Sequence, residues 1–97
     1  MSQTIINSNE IYSNKTVATI RQHIKRVVPT LSVKKGTGTA GAWIDVSGSQ
    51  EYGTFTVNEQ IALYELGLHS SPTYLGNQVG ISPEERPQLL KLWGYLK

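Results

Sequence analysis

Val17, Ile20, Ile24 and Val27 recur at i, i+3, i+7 and i+10, a spacing that puts side chains on one stripe of a helix turning about 100° per residue. Ser13 or Asn14 stands where a cap is needed, and Pro29 ends the run, because proline lacks the amide the next turn would use. Arg21 with Lys25 and Gln22 with Arg26 fall on the side away from the stripe, so the helix is amphipathic with a basic outer face. Such a helix needs an apolar surface to pack on, and the residues after Pro29 supply one. Thr30 to Lys35 alternates Leu31 and Val33 against Ser32 and Lys34, and Ala42 to Ser47 alternates Ile44 and Val46 against Trp43 and Asp45. That two-residue period reads as two strands with one buried face. Gly36, Gly38 and Gly41 lie in the link between them, which suits an antiparallel hairpin with an open and mobile tip.

The C-terminal half is punctuated more by caps than by periodicity. Tyr52 to Phe55 is a candidate third strand. Thr56 and Glu59 have the spacing of a capping box, in which each side chain satisfies a free amide at a helix start. The helix runs through Leu66 to Gly67, placed for a left-handed C′ position, with Leu68 able to pack back on Leu63. His69 to Ile81 is then a connection long enough to be either functional or mobile. Leu89, Leu92, Trp93 and Leu96 share a last helical stripe, with a turn expected at Ser82 to Glu85 and the helix starting at Pro87. A chain of 97 residues buries one core and not two. The expected architecture is a tail or edge strand over 1–12, then one α+β domain over 13–97: amphipathic helix, antiparallel hairpin within a sheet of two or three strands, and two C-terminal helices.

Composition narrows the chemistry. With 38% hydrophobic and 16% charged residues the chain is too apolar to stay disordered, and the lack of cysteine removes disulfides, thiolate metal sites and thiol nucleophiles. Neither a signal-peptide pattern nor a membrane-length apolar run is present, so a cytoplasmic setting without a membrane partner is expected. The sequon Asn14-Lys15-Thr16 would then be idle. The net charge of +2 hides a division. Between Ile11 and Ile44 lie Lys15, Arg21, Lys25, Arg26, Lys34 and Lys35 with no acid among them. From Asp45 onward Asp45, Glu51, Glu59, Glu65, Glu84 and Glu85 outnumber Arg86, Lys91 and Lys97. Either folding neutralises one half with the other, or the basic half awaits an anionic partner.

Gly36-x-Gly38-x-x-Gly41 matches the letters of a dinucleotide fingerprint, but a strand follows it where a helix N-terminus would have to face the pyrophosphate. It also resembles a kinase glycine-rich loop, without the other kinase signatures. Its glycines either permit positive φ in a hairpin tip or free the tip so that Lys34, Lys35 and backbone amides meet an anion. His23 and His69 have no ligand spacing around them, and Ser47, His69 and Asp45 lack a nucleophile elbow. No catalytic residue, metal site or cofactor is assigned. Trp43 alternates away from Ile44 and Val46, and is either covered by the last helix with Trp93 and Tyr95 or left beside Lys34 as a basic-aromatic surface.

Across Thr16 to Ser47, the runs Val17-Ala18-Thr19-Ile20-Arg21, Val28-Pro29-Thr30-Leu31-Ser32-Val33-Lys34 and Trp43-Ile44-Asp45-Val46-Ser47 resemble the small α-β-β modules of large polyvalent proteins of phages and plasmids. The resemblance implies a mobile-element context and carries over no site residues. Together these features lead to the expectation of a non-enzymatic binding protein that inhibits or adapts a host protein or nucleoprotein complex, such as a CRISPR-type defence complex. The expected contacts are Arg21, Lys25, Arg26, Lys34, Lys35, Gly36, Gly38 and Trp43, with the five cations on one face. The alternative is a module that binds nucleic acid directly through the basic helix and hairpin tip.

Overall fold

A computed structural model of the protein describes residues 5–36 and 41–96. Its elements are α1 (Asn14–Val27), β1 (Ser32–Lys35), β2 (Ile44–Ser47), α2 (Val57–Glu65), β3 (Val79–Ile81) and α3 (Glu85–Leu92), with short 3-10 turns at Ser8–Glu10 and Glu51–Gly53. The three strands form one antiparallel sheet in the order β1-β2-β3. The α+β class and the order of helix, hairpin and later helices are those expected from the alternation and the caps.

One face of the sheet builds the core. Val33, Ile44, Val46, Val79 and Ile81 are buried together with Val17, Ile20 and Ile24 of α1, Leu63 of α2 and Leu89 and Leu90 of α3. The other face, carrying Ser32, Lys34, Asp45, Ser47 and Gly80, is partly or fully exposed, as antiparallel sheets allow. Val27, placed on the buried stripe by its spacing, is 49% exposed. It is the last helical residue, and Val28 has already turned to extended backbone at φ −136°.

The third strand is not where the sequence suggested. Gly48 donates to the Gly53 carbonyl at 2.7 Å and Gln50 to the Thr54 carbonyl at 3.0 Å, so the backbone groups of this segment are spent in a tight turn. Tyr52, at φ 61°, cannot continue a strand. Val79–Ile81 takes the place beside β2, which shortens the long connection. The rest of that connection is packed by Tyr74, whose ring meets Phe55 and His69 edge-on at 5.7 and 4.4 Å and whose hydroxyl donates to the Gln78 carbonyl at 2.8 Å. α3 begins at Glu85, two residues before the expected start, with Ser82 and Glu85 exchanging amide contacts at 3.1 and 3.3 Å. Pro87 is tolerated there because the first-turn amides of a helix have no intrahelical partner.

The segment before α1 belongs to the domain. Ile6 is fully buried, donates its amide to the Tyr95 carbonyl at 2.7 Å and forms a lone parallel bridge with Leu96. Of the tail or edge strand expected over 1–12, the described part is tied to the domain at Ile6 by this strand-like pairing, while Asn7 to Asn9 and Tyr12 stay exposed.

Candidate functional site

The sequence-nominated cations are held by two elements. α1 turns Arg21, Lys25 and Arg26 to solvent because its stripe is committed to the sheet. At about 100° per residue, Asn14, Ala18, Arg21 and Lys25 fall within about 60° of each other on one flank. Lys35 joins that flank. It pairs with the inward-facing Ile44 at the end of β1, and its Nζ donates to Asn14 Oδ1 at 3.2 Å. Arg21, Lys25 and Lys35 are thus brought to one border of the molecule, where α1 lies along β1.

The other nominated residues divide. Lys34 alternates away from buried Val33 onto the outer face of the sheet, on the far side from α1. There it lies directly opposite Asp45 in the register and diagonal to Trp43. Arg26 is on the opposite flank of α1, near His23. The single face of five cations is therefore corrected: strand alternation separates Lys34, and helical rotation separates Arg26. Gly36 closes the described part of the hairpin, donating its amide to the Trp43 carbonyl at 2.9 Å. Gly38 and the tip around it lie outside the described residues.

Trp43 is 42% exposed, while Trp93 and Tyr95 set their rings against His23. The Trp43 ring lies across Gly80, where a Cβ would come within 3.0 Å of Trp43 Cε3, so the glycine gives the indole its seat. Trp93 has a different task. It stacks on His23 at 4.3 Å, and its Nε1 donates to the Leu66 carbonyl at 2.9 Å. His23 Nδ1 in turn meets the buried Tyr95 hydroxyl at 2.8 Å. Burial, and secondarily the charge of Arg26, pushes the His23 pKa below its ordinary value. His23 is thus part of the packing between α1 and the C-terminal segment, more than a solvated neighbour of the basic residues.

The remaining motifs are absorbed by structure. The described end of the glycine run, Gly41, leads into β2 and not into a helix. His69 Nδ1 lies 3.1 Å from the Ser71 amide and its ring contacts Tyr74. No helix among the described residues is long and apolar enough to cross a membrane. Sequence reasoning missed Asn14 as the link between helix and strand. It also missed a stripe of Val57, Ile61 and Tyr64 left exposed along α2, although their i, i+4, i+7 spacing was open to the same test applied to α1.

Compared with protein-family models, curated proteins and solved structures, the chain matches none.

Proposed function

We propose that this chain is a non-enzymatic binding protein that docks, through the border formed by α1 and β1, on the acidic surface of a host protein or nucleoprotein complex and inhibits or adapts it. The observation that carries this reading is a set of cations without counter-charges. Arg21, Lys25 and Lys35 are exposed on this border, and among the described residues the ion pair formed is Lys15 with Glu10 at 3.2 Å. Clustered like charge disfavours the compact state unless an anion arrives, and it steers association with one. The exposed apolar side of α2, at Val57, Ile61 and Tyr64, favours a protein over bare nucleic acid, because apolar anchors add affinity in protein interfaces. The likeness to phage and plasmid modules supports a host defence complex as the partner.

The test is capture from a host lysate, before and after nuclease treatment, by the wild type and by Arg21→Glu/Lys25→Glu. The expected result is a protein species that survives nuclease, is released by salt and is lost from the double variant. Loss of all binding after nuclease would favour direct nucleic-acid recognition. Equal capture by both proteins would remove the basic border from the account.

A further inference from the structure

We propose that the free edge of β1 receives an extended, acid-rich peptide segment of the partner, which adds a fourth strand to the sheet. This builds on the acidic-partner reading and specifies how that partner is held. β1 stands at the edge of the sheet. The Gly36 amide donates to the Trp43 carbonyl at 2.9 Å, which marks Gly36 and Trp43 as a hydrogen-bonded pair of an antiparallel ladder. Such pairs alternate with non-bonded ones. With the register Lys35↔Ile44, Lys34↔Asp45, Val33↔Val46, Lys34 is therefore bonded to β2, while the N–H and C=O groups of Val33, 5% exposed, and of the exposed Lys35 point away from β2. The same alternation leaves only Gly80 of β3 facing out on the opposite edge, so β1 offers the longer ladder.

Charge selects the occupant. Lysine on an edge strand is a common guard against pairing, and Lys34 and Lys35 would oppose a second copy of this edge by like-charge repulsion. Against an acidic strand the same residues attract. A strand laid on β1 alternates its side chains between two sides. Those on the outer side meet Lys34, and those on the core side meet Lys35 and run beside Arg21 and Lys25. Neither α1 nor β1 contains an acid; Asp45, opposite Lys34 on β2, is the acid nearest this edge in the register. Main-chain hydrogen bonds would supply affinity, and the alternating acids would supply specificity, as in other strand-addition complexes.

The probe is a short end-blocked peptide of alternating Val and Glu, titrated into the protein by nuclear magnetic resonance with hydrogen exchange measured at Val33 and Lys35. Binding is expected to slow exchange at both amides and to weaken with salt. A peptide of the same charge with Pro in place of Val cannot donate to the ladder, and should bind about tenfold more weakly or worse, as the loss of two backbone hydrogen bonds implies. Lys34→Glu/Lys35→Glu, changed only at exposed positions, should keep the fold and lose the Val-Glu peptide. Equal binding of the Pro peptide, or unchanged exchange at Val33 and Lys35, would overturn edge docking while leaving the charged border in place. If neither peptide binds, or only an oligonucleotide does, the acidic-protein reading falls with it.

Discussion

Glu59 joins three parts of the chain through one carboxylate that is 1% exposed. Its Oε1 accepts from the Thr56 amide at 2.8 Å and the Ser49 amide at 3.1 Å, and its Oε2 from the Thr30 hydroxyl. Burial by itself would raise its pKa. The hydrogen bonds from Thr30, Thr56 and Ser49 outweigh that and hold it at about 2, against an ordinary 4.5. A folded-state pKa below the unfolded one means that the unfolded chain takes up the proton first as pH falls. The stabilisation from Glu59 is therefore complete above about pH 4.5 and is lost as pH falls toward 2. The shift corresponds to about 3 kcal/mol across that window. Urea titrations at a series of pH values should show this loss in the wild type and a much flatter acid limb in Glu59→Gln, which retains an acceptor but cannot titrate. Equal slopes in the two proteins would remove the carboxylate from the acid response.

Gly67 ends α2 at φ 84°, with the Leu68 amide donating to the Leu63 carbonyl at 2.8 Å and the Gly67 amide to the Tyr64 carbonyl at 3.1 Å. Gly67→Ala must hold that left-handed backbone with a Cβ that also approaches Leu92 Cδ2 at 2.9 Å. It should cost about 1–2 kcal/mol, mostly as backbone strain because Leu92 is an exposed side chain able to move, and it should leave binding through the α1 border unchanged. Thermal and binding measurements on the same variant check both halves. This end of α2 was legible in the sequence, as were its capping box, the stripe of α1 and the first two strands, because each is written in residues a few positions apart. β3 was not legible. Three residues, Val79 to Ile81, are too few to display a period, and they become a strand only because β2 has a second edge to fill. The candidate site divides the same way. Which cations face solvent on α1 follows from helical spacing, whereas the meeting of Lys35 with Asn14 and the separation of Lys34 depend on how helix and strand are laid together.

Arg86 holds distant parts of the molecule at one point. Its guanidinium is buried and donates to the Ile11 carbonyl at 3.2 Å and the Ala42 carbonyl at 2.9 Å, with the Tyr12 ring 5.8 Å away. It thereby ties α3 to the segment before α1 and to the approach to β2. Burial pushes its pKa down and Tyr12 opposes that shift; among the described residues no carboxylate is paired with it and its Nε has no hydrogen-bond partner. The desolvation of this charge is offset by carbonyls, the Tyr12 ring and packing, so the residue acts as a clamp more than as a source of large net stability. Removing it still leaves two carbonyls unpaired and a void in their place. Arg86→Ala should therefore lose about 2–4 kcal/mol, whereas Arg86→Met, which refills most of the volume without a charge, should lose clearly less. Because Ile11, Ala42 and α3 converge here, the loss should appear as one cooperative transition at lower denaturant, with no separate early melting of the N-terminal segment. Denaturation followed both by far-ultraviolet circular dichroism and by tryptophan fluorescence tests this. Coincident curves shifted together support a single unit, whereas an Arg86→Ala protein within about 0.5 kcal/mol of the wild type would show that the clamp contributes no more than an ordinary surface side chain.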